Sequence, residues 1–164
     1  MKNIILTGMM GCGKSTLARL LGESLRCPVV DTDELVEQAA GMSISQIFAQ
    51  HGEGYMRDIE TTVCRKLSTE ENLIVATGGG LPLRQENRDY LRSTGTVFFL
   101  NRNPEEIYDT MATSGRPLAQ QGKAAFLQRF HDREPIYRAF SHIIIQDFST
   151  PENTLAEILA ALEA

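Results

Sequence analysis

An α/β domain built on a parallel sheet covered on both faces is the fold this sequence predicts. Three observations predict it. Short unbroken apolar runs recur along the chain, helical patterns lie between them, and a glycine-rich turn joins the first run to the first helix. Unbroken runs suit strands buried on both faces, and strands alternating with helices make the crossover units of a three-layer α/β/α domain. The predicted strands are Ile4–Leu6, Val29-Val30, Leu73–Ala76, Val97–Leu100 and Ile143–Ile145.

After the first strand comes Gly8-Met9-Met10-Gly11-Cys12-Gly13-Lys14-Ser15-Thr16, with the spacing G-x-x-x-x-G-K-[ST]. Leu17, Leu20, Leu21 and Leu25 follow at helical intervals. Strand, glycine loop and helix start together make a phosphate cradle: the loop amides and the positive end of the helix dipole hold phosphate oxygens. The residues expected to contact a nucleotide are Gly11, Cys12, Gly13, Lys14, Ser15 and Thr16. Lys14 reaches the β- and γ-phosphates, and the Ser15 hydroxyl ligates Mg²⁺. The expected ligands are therefore ATP and Mg²⁺.

The second strand runs into Asp31-Thr32-Asp33-Glu34. Residues just past the carboxyl ends of parallel strands face the ligand crevice. Asp33 is placed to accept the proton of an attacking hydroxyl and Asp31 to hold Mg²⁺ through water. Capping of the next helix is the competing use of the pair, and both uses are compatible. Ser43 with Gln46 forms a capping box. Met56-Arg57-Asp58-Ile59-Glu60 lies on a helix striped by Ile59, Val63 and Leu67, where Glu60 shares a face with Arg57 and can orient its guanidinium.

The third strand closes in Thr77-Gly78-Gly79-Gly80, which suggests a ligand pressed against bare backbone with amides offered as donors. Asn103-Pro104-Glu105 and Thr150-Pro151-Glu152 each read as an N-cap, a proline at the first helical position and an acidic first turn. The last helix carries Leu155, Ile158, Leu159 and Leu162 on one stripe. Ser114–Gly122, polar and bounded by glycine, reads as a mobile flap.

At 164 residues the chain suits one domain, and its net charge of -5 argues against a nucleic-acid partner. No run is long enough to span a membrane. Met1-Lys2-Asn3 passes straight into the first strand, so a cytoplasmic protein without a signal peptide is expected. No exposed apolar seam is evident, and a monomer is expected. The three cysteines, Cys12, Cys27 and Cys64, form no CxxC pair, which argues against disulfide and zinc frameworks. Cys12 is read, for native function, as a loop position that takes any small residue; at a helix N-terminus its thiol pKa should nonetheless fall, and its alkylation is expected to block nucleotide binding. His51, His131 and His142 fall in no metal-ligand spacing. Tyr137, four residues after Arg133, is read as packing that orients the arginine.

The motifs GMMGCGKST, DTDELVE, MRDIE, ATGGG, GRPLA and REPIY, in that order, resemble the shikimate kinase family over nearly the whole chain. The resemblance implies a fold of the nucleoside-monophosphate-kinase type, with strand order 2-3-1-4-5 and a mobile lid. It also implies phosphorylation of the 3-hydroxyl of shikimate by MgATP, on the route to chorismate and aromatic amino acids. On that resemblance Asp33 meets the shikimate hydroxyls, Arg57 and Arg133 bind its carboxylate, and Gly79 and Gly80 touch the ring hydroxyls through backbone. Arg116 closes over the phosphates, so that Asp33, Lys14 and Arg116 are the catalytic set. The layout is then one kinase domain over 1–164: a core of 1–30, 70–110 and 140–164, a shikimate region of about 31–62 and a lid of about 112–124.

The sequence departs from the family in places. Met56 replaces a phenylalanine. Asp109 stands where the family carries an arginine that stacks on adenine, leaving Arg102 as a nearby cation of unassigned place and Asp147–Pro151 as the opposite adenine wall. Phe140-Ser141 replaces a small residue expected after the tyrosine helix. Two other readings remain open: a kinase for another polyol acid such as gluconate, and a nucleotide-binding regulatory module with weakened catalysis.

Overall fold

The computed structural model describes residues 2–114 and 122–164. In chain order the elements are β1 (Asn3–Thr7), α1 (Lys14–Leu25), β2 (Val29–Asp31), α2 (Thr32–Ala40), α3 (Ile44–Leu67), β3 (Ile74–Ala76), a 3₁₀ turn (Leu81–Leu83), α4 (Gln85–Arg92), β4 (Gly95–Leu100), α5 (Pro104–Ser114), α6 (Lys123–Phe140), β5 (Ile143–Ile145) and α7 (Pro151–Glu163). The strands form one parallel sheet in the order β2-β3-β1-β4-β5. That is the predicted fold and the predicted order.

The two-residue period of the strands splits the core between the two faces. Ile4, Leu6, Ile74 and Ala76 pack with Leu17, Leu21, Ile107 and Ile158. Ile5, Val75 and Val97 turn the other way, onto Val63, Leu67 and Leu91. The predicted strand at Val97 starts earlier, at Gly95, because pairing follows the backbone and not the apolar run. Gly95 lies opposite Asn3, and a β-carbon there would run into the Asn3 carbonyl.

Capping matches the sequence reading. Ser43 Oγ accepts from the Gln46 amide and Gln46 Oε1 from the Ser43 amide. Asn103 Oδ1 accepts from the Glu105 amide, and Thr150 Oγ1 from the Asn153 amide. Helix α3 breaks at Gly52 (φ 82°, ψ 175°), so the segment bearing Arg57 and Glu60 has its own direction. Helix α1 differs from α2, α3 and α7: it begins at Gly13 with no side-chain cap. Its first amides are left for a ligand.

Candidate active site

The phosphate end is built by the turn between β1 and α1. Gly11 (φ 82°) and Gly13 (φ 104°) take left-handed conformations that L side chains rarely adopt, and the Cys12 amide closes the turn on the Met9 carbonyl at 3.2 Å. Lys14 is 9% exposed, and its Nζ donates to the carbonyls of Gly8 (2.7 Å) and Met9 (2.8 Å). This fixes the ammonium over the loop. A cavity of about 330 Å³ opens here, lined by Gly11, Gly13, Lys14, Ser15 and Thr16 on one side and by Asp31, Asp33, Gly78 and Gly79 on the other.

The Cys12 side chain turns away from the cradle to which its amide belongs. Its side chain is 2% exposed, and its Sγ lies beneath the loop against Gly8. It belongs to the apolar core and not to the cradle wall. That burial stands against the alkylation expected from the sequence.

Asp31 does two things, as its position allows. Its Oδ1 caps α2 by accepting from the Asp33 amide (2.8 Å), and its Oδ2 accepts from Ser15 Oγ at 3.4 Å. Two hard oxygens side by side at the loop suit Mg²⁺, which takes few protein ligands and fills its shell with water and phosphate. Among the described residues no group of three or more His, Cys, Asp or Glu is placed to form a full protein cage.

The acceptor end is built around the glycine triplet after β3. A β-carbon on Gly78 would strike the Asp33 carboxylate, one on Gly79 would lie 3.3 Å from Arg133 Nη1, and one on Gly80 would strike the Arg57 guanidinium. Three charged side chains from α2, α3 and α6 thus converge on three consecutive residues. The Gly78 amide is already used, donating to buried Thr32 Oγ1 at 2.8 Å, and the Gly79 carbonyl accepts from Tyr137 Oη at 2.6 Å. Bare backbone at Gly78 and Gly80 is therefore explained by the side chains pressed on it, a reason the sequence reading did not give.

Arg57 is 12% exposed and Glu60 is 0% exposed. Arg57 Nη1 donates to Glu60 Oε1 at 2.7 Å, and its Nη2 donates to Glu53 at 3.1 Å. Burial works against the arginine's charge, but the two carboxylates outweigh it and its pKa rises. Burial also pushes the Glu60 carboxyl above the usual range, with Arg57 working against the rise. Its Oε2 is buried without a hydrogen-bond partner among the described residues. The Asp33 carboxyl is raised as well, by burial first and by Asp31 second, with Lys14 and Arg57 opposing. A carboxylate so raised holds a proton more readily. The Tyr137 phenol is pushed up to about 12, chiefly by burial. It stays protonated as the donor that pins Gly79.

The remaining predicted residues sort as follows. Arg116 and the centre of the predicted lid lie outside the described residues. Asp109 pairs with Lys123 at 3.3 Å. Met56 is buried in the core face of α3. His142 Nδ1 accepts from the Val97 amide at 3.0 Å, a structural use. The sequence reading missed Thr32 and Glu53. Glu53, one helical turn before Arg57, was visible as spacing; Thr32 was visible only as the residue between two aspartates.

A family model described as shikimate kinase matches residues 10–163. A shikimate kinase of Caldanaerobacter subterraneus subsp. tengcongensis is 38% identical over 164 residues, covering 98% of this chain and 96% of the relative. The structure of shikimate kinase from Acinetobacter baumannii in complex with shikimate superposes with a TM-score of 0.89 at 32% identity, covering 99% of this chain and 93% of that one. A gluconokinase from Sinorhizobium meliloti covers 99% of this chain and 91% of its own, but with a TM-score of 0.63 and 15% identity it shares the fold alone.

Proposed function

Since the chain belongs to the shikimate kinase family and catalyses the ATP-dependent phosphorylation of shikimate, we propose that Asp33 takes the proton of the acceptor hydroxyl and that Arg57 and Arg133 hold the carboxylate. The observation that carries this assignment is the convergence of those three side chains on Gly78–Gly80, beside the phosphate loop. A rigid acidic triol needs guanidinium groups at its carboxylate end and a hydrogen-bond acceptor at its hydroxyl end. The glycine triplet leaves room for both beside one stretch of backbone.

In this reading the 3-hydroxyl oxygen of shikimate bonds to the γ-phosphorus as the bond to the β-phosphate oxygen breaks. The hydroxyl proton passes to Asp33, and ADP leaves. Lys14 exchanges the carbonyls of Gly8 and Met9 for phosphate oxygens and neutralises the charge that spreads over them. Glu60 and Glu53 keep Arg57 in place. Ser15 and Asp31 are the residues that would hold Mg²⁺, which would supply positive charge to neutralise the phosphates. Arg116 adds a late cation over the γ-phosphate. The enzyme is read as a cytoplasmic monomer without a membrane partner, and its net charge of -5 disfavours a nucleic-acid partner.

A coupled ADP-release assay tests the assignment. Purified protein with MgATP is expected to release ADP only when shikimate is present, with gluconate and AMP inert as acceptors. Equal turnover on gluconate would contradict the carboxylated-ring pocket, and ADP release without any acceptor would contradict an acceptor-gated kinase.

A further inference from the structure

In the reading above, the phosphates occupy the Gly8–Gly13 turn and shikimate lies on its Asp33 side, so the base must extend the other way. On that side the turn abuts the end of β4 and helix α5: Gly8 faces the Leu100 carbonyl, and Gly11 faces Ile107 and Met111. Just past Leu100 a polar cavity of about 540 Å³ opens between the β4–α5 and β5–α7 connections. Its wall includes Arg102, Asn103, Asp147, Phe148 and Ser149. The β5–α7 side of this cavity is held rigid. Glu157 Oε1 accepts from the amides of Gln146 (3.1 Å) and Asp147 (2.9 Å), and Thr154 Oγ1 donates to the Asp147 carbonyl at 2.6 Å. Asp147 Oδ1 in turn accepts from the Ser149 amide (3.1 Å) and hydroxyl (2.6 Å).

Arg102 is the cation among the described residues of that wall, and its hydrogen bonding is incomplete. Among the described residues its buried Nε has no partner, its Nη2 reaches Thr110 Oγ1 only at 3.5 Å, and no ion pair involves it. A buried donor without an acceptor is costly unless a ligand supplies one. A guanidinium is also a plane that stacks on an aromatic face and keeps its charge at every working pH. The contact to Thr110 brings this guanidinium to helix α5, where Asp109 pairs with Lys123 and is itself an anion that offers a base no cation. We propose that Arg102 covers the adenine of bound ATP, clamping it against the rigid Asp147–Ser149 loop, and so takes the stacking role that Asp109 leaves vacant.

The inference rests on the proposed function, and one set of titrations separates the two. ATP, inorganic tripolyphosphate and shikimate are each titrated calorimetrically into wild-type protein, R102A and R102K. For R102A, ATP affinity is expected to fall about 5–30-fold, while tripolyphosphate, which has no base, changes by less than about twofold. Shikimate affinity is expected to be unchanged. R102K keeps the charge without the plane and is expected to recover less than half of the loss; should R102A fail to fold, the ATP-selective loss in R102K decides. Equal losses for ATP and tripolyphosphate, or undiminished ATP affinity, would overturn the role of Arg102. A wild-type protein that binds neither ATP nor tripolyphosphate would overturn the proposed function, and the inference with it.

Discussion

Two glycine-rich turns sit at the carboxyl end of the sheet, and they use the same residue for opposite reasons. The turn after β1 needs glycine for its backbone, with Gly11 and Gly13 at φ 82° and 104°. The turn after β3 does not: Gly80 has φ -99°, open to any residue, and what excludes a side chain there is the Arg57 guanidinium. One turn presents main chain to a ligand. The other makes room for charged side chains that arrive from distant helices. The phosphate end is therefore written in one contiguous motif, whereas the acceptor end exists only once α2, α3 and α6 have packed.

The largest test of that division is Asp33→Asn. Removing the proposed proton acceptor is expected to lower kcat by roughly 10²–10⁴-fold with ATP affinity intact. A parallel fall in ATP affinity, read by calorimetry, would show that the two ends are not separable. Arg57→Ala comes next. Leaving the shikimate carboxylate short of a charged partner costs about 1.5–3 kcal/mol, or about 10–150-fold in the KM for shikimate, with the KM for ATP unchanged. Smaller effects come from the glycines themselves, and they should cross. Gly13→Ala places a side chain at positive φ, a strain of about 1–3 kcal/mol, and is expected to weaken ATP and spare shikimate. Gly80→Ala displaces Arg57 and is expected to raise the KM for shikimate and spare ATP. If both variants weaken the same ligand, the two turns do one job between them.

Legibility in the sequence follows the same division. The apolar runs, the capping residues and the loop from Gly8 to Thr16 depend on neighbours a few residues away, and periodicity and spacing are enough to read them. The spacing of Arg57 and Glu60 was readable too, but not that Glu60 would be wholly buried. Burial is decided by what α3 packs against. The bond from Tyr137 to the Gly79 carbonyl joins residues 58 apart in the chain, and nothing local announces it. Cys12 shows the converse: spacing puts its backbone in the cradle turn, and only packing shows that its side chain points into the core.

The smallest effect is also the most discriminating, because it asks what the acceptor end costs the fold. Burial and the nearby Asp31 raise the Asp33 carboxyl above the ordinary aspartate value, so the unfolded chain ionises first. A group raised in this way supports the fold most below its unfolded pKa, and that support is lost as the pH climbs through the folded value. As the pH climbs, the wild-type protein takes on the cost of ionising a buried carboxylate, and Asp33→Asn does not. The variant is therefore expected to melt higher than the wild-type protein at pH 7. The advantage is expected to shrink as the pH falls and to vanish in the ordinary carboxylate range. With Asp33 as the proposed proton acceptor, the same ionisation is expected to set the acid limb of kcat/KM, so that limb and the pH at which the two melting curves converge should move together. A variant no more stable than wild type at pH 7, measured by calorimetric melts across pH 4–8, would mean that Asp33 is held at no cost and that its raised pKa does not reflect burial.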